Sequence, residues 1–376
     1  KQAATLRPNH SRLMYFVAVA YALNGNTGEA LSWLDRVARL GVVVPAGSDE
    51  NFNSIKDSAE FKVILEKFRR NALPIVRSIP AFTIHEKGVV PESVAYDRVA
   101  KNFYLSSIYK RKILRVGASG EATEFATARD GLWSVAGMKV DAARRLLWAC
   151  TVAHPQMSGY KEEENGTTGL LKFDLRTGRL IKKYLLPNHP QPHWLGDLAI
   201  NSRGDVFATD SITPAIYIVR QDRDEIETFL ESEQFSSPQG LDFTPDEKHL
   251  FMADYAKGLF LVDLATKKIT LLPPPPDSTL LGIDGLYFHN GALVAVQNGT
   301  TPPRIIRLIL DKTLSRLERF ETLEANNPIF DDPTLGVVVK DWFYFIANSQ
   351  WGAIDEKGNL APAEKLKDPV ILKLKL

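Results

Sequence analysis

The sequence predicts a mainly β protein that begins with a short α-helical segment. Between residues 9 and 71 the apolar residues recur at helical spacing. From residue 78 onward, runs of four to seven residues rich in Val, Ile, Phe, Tyr and Leu alternate with turn sequences such as "DPTLG" and "NSRGD". Six similar units then start at intervals of 44, 60, 43, 45 and 51 residues. These intervals match the repeat length of blades, so we expect a six-bladed β-propeller.

The helical segment is predicted to cover residues 1–72. Small, aromatic, glycine, alanine and bulky residues stand where a tetratricopeptide unit has them, at Ala18, Tyr21, Gly25, Ala30 and Leu34. The segment therefore resembles one tetratricopeptide-like unit. Because about three repeats are normally needed for a stable array, a single unit needs a partner. Three interpretations stay open: it packs against the main domain, it binds a partner protein, or it ends a longer array.

The propeller is predicted to cover residues 78–376. Its six units start with "ESVAY" at Glu92, "AGMKV" at Ala136, "GDLAI" at Gly196, "QGLDF" at Gln239, "DGLYF" at Asp284 and "LGVVV" at Leu335. A second and a third strand follow each start, so each unit forms a small antiparallel sheet. We expect strands near residues 80–84 and 370–376, from opposite ends of the chain, to complete the sixth blade. The insertion "HPQMSGYKEEENGTTG" explains the interval of 60 residues and is expected either as a lid over the channel mouth or as a solvated acidic loop.

The residue that opens the first strand of each blade is expected to face the central channel at one end. Glu92, Gln239 and Asp284 open blades one, four and five with side-chain oxygens. Two carboxylates and an amide oxygen are ligands suited to a hard cation, so the spacing predicts a Ca²⁺ site, with Mg²⁺ or Mn²⁺ as other candidates. The alternative interpretation is that these side chains hydrogen-bond backbone groups or channel water.

The second strands return to the same face and end in polar residues, which predicts a polar rim around the mouth. We expect a small-molecule substrate or ligand to contact Asp210, Asp254, Asn298 and Asn348 of this rim, together with Trp194. His154 and His193 lie close enough in sequence to strand ends to overhang the same face, either as a general acid or base or as loop hydrogen-bonding residues. Trp133 and Trp351 lie near other strand ends and are predicted to wall an apolar pocket, or else to be half-buried in the sheets.

Charge and composition exclude several classes of function. Lys and Arg number 46 and Asp and Glu 45, so a net charge of +1 provides no basic surface for nucleic acid. The longest apolar run, residues 13–23, is too short to span a membrane. Cys150 is the only cysteine, which excludes an intrachain disulfide. The chain starts at Lys1, so export to the periplasm or the extracellular space is expected if a signal has been removed, and the compartment is otherwise undetermined.

The motifs "PESVAYD", "GDVFATDS", "SPQGLDFTPDEKHLFMADY" and "IDGLYFHNGALVAVQNG" resemble the gluconolactonase and regucalcin (senescence marker protein) family of six-bladed propellers. The resemblance covers residues 78–376. It implies a divalent cation held by a glutamate opening the first blade, an asparagine opening the fourth and an aspartate opening the fifth. These positions are Glu92, Gln239 and Asp284 here, with glutamine in place of asparagine.

One departure from the family pattern concerns blade three. The resemblance implies an asparagine facing metal and substrate where this chain has Gly196. Asp197 follows it, and strand alternation predicts that its side chain points away from the axis.

Two functions from different classes are compatible with these observations. The first is metal-dependent hydrolysis of a lactone or related small ester, in which the cation polarises the carbonyl and Asp284 activates water. The second is a non-catalytic propeller that binds a small ligand, or a protein partner through its face or its helical unit. The trio Glu92, Gln239 and Asp284 favours the first function, and Gly196 favours the second.

Overall fold

A computed structural model describes residues 9–117, 120–187 and 191–376 of the chain. In the described residues, three α-helices precede the first strand: α1 (Ser11–Leu23), α2 (Thr27–Arg39) and α3 (Ala59–Asn71). Asn26 begins α2 as its N-cap, with its side chain accepting a hydrogen bond from the backbone N–H of Glu29. No helix in the described ranges is long and apolar enough to cross a membrane.

Twenty-four strands form six four-stranded antiparallel sheets in the described residues, which confirms the mainly β, six-bladed propeller. Blade one contains β2 (Val94–Asp97), β3 (Asn102–Ser106), β4 (Ile113–Val116) and β5 (Ala122–Ala126). Blade two contains β6 (Ser134–Asp141), β7 (Leu146–Val152), β8 (Thr168–Asp174) and β9 (Leu180–Leu185). Blade three contains β10 (Leu195–Ile200), β11 (Val206–Asp210), β12 (Ala215–Val219) and β13 (Ile226–Glu231).

The remaining three blades repeat this arrangement. Blade four contains β14 (Pro238–Phe243), β15 (His249–Asp254), β16 (Gly258–Asp263) and β17 (Ile269–Leu272). Blade five contains β18 (Leu286–His289), β19 (Ala292–Gln297), β20 (Arg304–Leu310) and β21 (Leu317–Ala325). Blade six contains β22 (Gly336–Val339), β23 (Trp342–Ile346), β24 (Val370–Lys375) and β1 (Ile79–Thr83). First strands of neighbouring blades contact one another, so they form the inner ring.

The ring is closed in blade six by strands from both ends of the propeller. β1 pairs antiparallel with β24, with Thr83 opposite Val370 and Ile79 opposite Lys373. The sheet order β1-β24-β23-β22 places β1 at the outer edge. Hydrogen bonds therefore join the beginning of the propeller to its end, which leaves no blade incomplete.

The helical segment has its own apolar core and also contacts blade five. Its buried residues include Ala18, Ala30 and Leu34, all fully inaccessible to solvent. The backbone of Ile75 exchanges two hydrogen bonds with Ala325 at the end of β21, with N–O distances of 2.8 and 3.0 Å. The linker that follows the segment is therefore attached to the propeller by main-chain pairing.

Candidate functional site

The three predicted ligand residues lie at the start of inner strands. Glu92 precedes β2, Gln239 lies in β14 and Asp284 precedes β18. All three side chains are half-buried. Partial exposure distinguishes them from the fully buried residues of the blade interiors.

Backbone hydrogen bonds between neighbouring inner strands hold these positions. The N–H of Gly240 donates to the carbonyl of Asp284 at 2.7 Å, which joins blades four and five beside Gln239. A Cβ on Gly240 would lie 2.5 Å from that carbonyl oxygen, so only glycine permits the approach. The N–H of Leu335 donates to the carbonyl of Glu92 at 3.0 Å, which joins blades six and one.

Glu92 and Asp284 are neighbouring carboxyls whose charged forms repel each other. Burial raises the pKa of Asp284 to about 7, with a further increase from Asp197 and an opposing hydrogen bond from Asn298. Burial also raises the pKa of Glu92, and the charge on Asp284 raises it further, against a hydrogen bond from Trp351. A bound cation would stabilise both carboxylates in their charged form.

Each carboxylate is oriented by one side-chain donor. Trp351 Nε1 donates to Glu92 Oε2 at 2.8 Å, and Asn298 Nδ2 donates to Asp284 Oδ2 at 2.8 Å. Within the described ranges, the second oxygen of each carboxylate accepts no hydrogen bond. Gln239 donates from Nε2 to Ser237 Oγ at 3.1 Å, which leaves its Oε1 as the available ligand atom.

This donor set fits a hard divalent cation in its chemistry, because two carboxylates and one amide each present an uncommitted oxygen. Among the described residues, no group of three or more His, Cys, Asp or Glu side chains is arranged to hold a metal ion. A cation at the mouth therefore depends on Gln239 as the third protein ligand. It is the same amide position that the resemblance implies.

Asn298 is the one predicted rim residue that contacts the carboxylate pair. Besides its bond to Asp284, it donates to the carbonyl of Pro333 at 3.0 Å and accepts from the Tyr255 hydroxyl at 3.0 Å. Burial and the charge of Asp284 raise the pKa of Tyr255 to about 12, so its hydroxyl stays protonated as a donor. Tyr255 was not predicted, since it lies beyond the end of β15 and no spacing links it to Asp284.

Asp210 and Asp254 lie behind the mouth and do not line it. Both are fully buried. Their carboxylates accept backbone hydrogen bonds from the loops on either side, at Trp194, Ile212 and Thr213 for Asp210 and at Ser236, Ser237, Ala256 and Lys257 for Asp254. Both carboxylates stabilise the adjacent loops, so the accessible polar surface of the mouth comes from other residues.

Asn348 has the same bracing role in blade six. Only 2% of the residue is exposed. Its Nδ2 donates to the carbonyl of Asp368 at 3.0 Å and its Oδ1 accepts from the N–H of Val370 at 2.6 Å. Both bonds hold the start of β24, which places Asn348 away from any accessible ligand surface.

The two predicted histidines are in different environments. His193 Nδ1 lies 2.6 Å from Asp210 Oδ2, and the pair is buried. His154 is also buried, and its Nδ1 accepts a hydrogen bond from the N–H of Gln156 at 3.3 Å. Burial lowers the pKa of His154 to about 4, so the ring is neutral at pH 7. Since Nδ1 is an acceptor, the ring proton lies on Nε2, which has no hydrogen-bond partner in the described part of the chain.

An aromatic cluster lies beside Glu92. The ring of His154 is 4.5 Å from that of Trp194 and 6.1 Å from that of Trp351, measured between centroids. The two tryptophan rings are 6.3 Å apart. Because Trp351 donates to Glu92, this cluster walls one side of the carboxylate site. His154 begins the insertion after β7, whose acidic residues Glu162 and Glu163 are exposed.

The expectation that Asp197 points away from the axis was wrong. β10 shifts register between Leu195 and Leu198, and this bulge breaks the alternation of side chains. Asp197 is buried, lies 3.6 Å from Lys139 Nζ and raises the pKa of Asp284. The adjacent Gly196 has no side chain, and a Cβ there would lie 3.6 Å from Gln239 Oε1. Blade three thus contributes a buried acid below the mouth and an open position at it.

Comparison with known proteins supports the fold. No family model matches the chain, and no curated protein matches it. Among solved structures, a gluconolactonase from Xanthomonas campestris is 14% identical with a TM-score of 0.51, covering 80% of this chain and 94% of that one. A PQQ-bound aldose sugar dehydrogenase from Streptomyces coelicolor is 12% identical with a TM-score of 0.53, covering 80% and 99%. A catalytically inactive virginiamycin B lyase from Staphylococcus aureus is 15% identical with a TM-score of 0.51, covering 78% and 83%.

These neighbours are named for different reactions although they share one architecture. A gluconolactonase, a sugar dehydrogenase and a lyase share the propeller at identities of 12 to 15%. Similarity at this level shows the fold, and function has to be argued from the residues at the site.

Proposed function

We propose that the protein is a divalent-metal-dependent hydrolase of lactones or related small esters, with its reaction centre at the channel mouth. The observation that supports this most strongly is the meeting of Glu92 and Asp284 at one half-buried point. Burial raises the pKa of both carboxyls, and no basic side chain in the described ranges compensates either one. Such a pair is unfavourable in its charged form, and either protons or a bound cation can neutralise it.

Glu92, Gln239 and Asp284 would hold the cation, with Ca²⁺ preferred to Mg²⁺ or Mn²⁺. When bound, a divalent cation polarises the ester carbonyl and stabilises the oxyanion formed as water adds. Asp284 would accept the proton of the attacking water on a second lone pair of Oδ1, the same oxygen that would hold the cation. The hydrogen bond from Asn298 occupies Oδ2 and so keeps Oδ1 directed at the site.

The two histidines are buried and differ in their hydrogen bonds. His193 Nδ1 lies 2.6 Å from Asp210 Oδ2, so this contact holds the ring in a fixed orientation. His154 carries its proton on Nε2, which has almost no accessible surface, so its ring belongs to the aromatic wall beside Glu92. Trp194 and Trp351 present apolar ring faces beside Glu92, which favours a substrate with a compact ring or a short apolar group.

The test is hydrolysis of a panel of aldonolactones and aryl esters in the presence of Ca²⁺, Mg²⁺ or Mn²⁺. We expect Glu92→Gln and Asp284→Asn to reduce kcat/KM at least about 100-fold. Asp341→Asn, an exposed acid in the turn between β22 and β23, is the matched control and should retain full activity. Unchanged hydrolysis in Asp284→Asn would refute the proposal.

One observation favours the second candidate function, a non-catalytic propeller that binds a ligand at the same mouth. Gly196 leaves open the position where the resemblance implies an asparagine that faces substrate. If that residue is needed for turnover, the protein would bind aldonolactones without hydrolysing them. A calorimetric titration showing saturable binding, combined with no product after prolonged incubation, would support this function.

A further inference from the structure

Arg304 is a buried arginine without an acidic partner. It is the first residue of β20 in blade five, and only 2% of it is exposed. No carboxylate in the described ranges contributes to its environment, and burial lowers its pKa to about 10. A buried charge of this kind is unfavourable unless it is hydrogen-bonded, so the hydrogen bonds of Arg304 indicate its structural role.

The guanidinium of Arg304 joins the helical segment to blade five. Its Nη1 donates to the carbonyls of Leu40 and Gly41, both at 3.2 Å, just after the end of α2. The carbonyl end of a helix carries partial negative charge, which favours a cation there. Its Nε donates to Gln297 Oε1 at 2.7 Å. One side chain thus bridges two parts of the fold.

Gln297 extends this connection to the loop that leads to Asp284. The residue is fully buried at the end of β19. Its Nε2 donates to the carbonyl of Thr279 at 2.9 Å and to that of Leu281 at 2.7 Å. The loop between β17 and β18 is therefore held three residues before Asp284.

The next residue after Gln297 is Asn298, which donates to Asp284. The loops that carry Asn298 and Asp284 also meet directly, since the N–H of Gly299 donates to the carbonyl of Gly282 at 3.1 Å. A Cβ on Gly299 would lie 2.6 Å from the Cα of Gly282. The two loops are so close that a displacement of one would move the other.

The helical segment contacts the same two loops at further points. Asn9 Nδ2 donates to the carbonyl of Ser278 at 2.8 Å, in the loop before Asp284. The N–H of Val43 donates to the carbonyl of Thr301 at 2.6 Å, in the loop after Asn298. Both loops of blade five that reach the mouth are thus attached to the helical segment.

We propose that the helical segment positions the site: through Arg304 and Gln297 it fixes the two loops from which Asp284 and Asn298 project. Arg304 and Gln297 are positioning residues, because neither hydrogen-bonds to Glu92, Gln239 or Asp284. The segment is then a structural component of the mouth. This goes beyond the proposed function, since it concerns loop geometry whatever ligand the mouth takes.

The test is hydrogen–deuterium exchange of the full chain, comparing the wild type with Arg304→Lys. Lysine keeps the charge but lacks the planar fork that reaches acceptors on two elements. We expect exchange in residues 279–285 and 298–301 to become about tenfold faster. The matched control is Arg307→Lys in the same strand, where the guanidinium bonds only Glu321 of β21, at 2.6 and 2.8 Å. This control should leave both loops unchanged.

A second variant separates loop positioning from general destabilisation. Gln297→Glu keeps an acceptor for Arg304 but loses the two donors to the loop, so exchange should increase in residues 279–285 while residues 36–44 stay protected. Unchanged loops in both variants would overturn the inference, and so would an equal increase in all six blades.

A calcium titration adds a readout that rests on the proposed function. We expect Arg304→Lys to weaken calcium binding about tenfold relative to Arg307→Lys, and equal affinities in the two variants would contradict the positioning role. If the wild type takes up no calcium, the proposed function loses its support. The exchange measurement still decides whether the helical segment positions the loops.

Discussion

At the scale of single residues, Asp284 links the stability of the fold to its chemistry. Its carboxyl binds a proton more tightly in the folded chain than in the unfolded chain, because burial raises its pKa from 3.8 to about 7. The folded state therefore holds the extra proton between these values, and stability falls as the pH rises through this range. A site residue that destabilises its own fold at neutral pH is typical of a functional position.

We predict that metal-free wild-type protein loses stability between pH 4 and pH 7 and that Asp284→Asn removes roughly 2 to 4 kcal/mol of this loss. Asparagine keeps the shape but has no charge to bury. Denaturant unfolding at several pH values measures the difference. Asp341→Asn, which changes an exposed acid, should follow the wild-type curve. If the free energies of unfolding of wild type and Asp284→Asn changed with pH in parallel, the buried environment assigned to Asp284 would be contradicted.

A second prediction concerns Trp351, whose indole donates to Glu92. Trp351→Phe keeps an aromatic ring but removes a hydrogen bond to the charged form of the carboxylate. We expect calcium affinity to fall about tenfold, as measured by calorimetry. Trp342→Phe provides a matched control, since that indole lies on β23 beside Lys373 and Lys375. Equal affinities in the two variants would argue against the role of Trp351.

Whether a site residue could be predicted from the sequence depended on its position in the repeat unit. Glu92, Gln239 and Asp284 could be proposed because each opens a repeat unit, and in the structure all three lie at or just before the start of an inner strand. Trp351 and Tyr255 could not, because their contacts join loops of different blades and follow no sequence period. Asp210 and Asp254 were expected at the rim from their place at strand ends, but short turns after those strands offer backbone donors that take up both carboxylates.

At the scale of elements, irregularities in the inner strands limit what alternation can predict. β6, β10 and β14 each shift register near their start, between Val135 and Met138, between Leu195 and Leu198, and between Pro238 and Leu241. A bulge places two consecutive residues opposite one residue of the partner strand. The direction of their side chains therefore cannot be predicted from alternation along the strand. This is why Asp197 lies at the axis below the mouth.

The closing blade provides a prediction for the elements. Ile371 in β24 is fully buried between blades six and one, whereas Ile79 in β1 is 51% exposed. We expect Ile371→Ala to lower the free energy of unfolding by about 3 kcal/mol and Ile79→Ala by less than about 0.5 kcal/mol. Denaturant titration measures both. Similar losses of unfolding free energy in the two variants would mean that packing of β24 against blade one does not stabilise the closed ring.

At the scale of the whole molecule, the repeat explains why the architecture was predictable. Six units of similar length cannot bury their faces alone, and a closed ring satisfies all of them together. The helices were equally clear from their spacing. The contact between the helical segment and blade five was only one of three open interpretations, because it depends on Arg304 and on loop carbonyls that have no pattern in sequence.

The proposed function requires a cation that bridges blades one, four and five at the channel mouth. The most direct measurement is anomalous X-ray scattering from a crystal of the protein soaked in Mn²⁺. We predict one strong peak enclosed by the carboxylates of Glu92 and Asp284 and the amide oxygen of Gln239. A mouth without such a peak, while manganese is bound at other places on the same protein, would contradict the central claim.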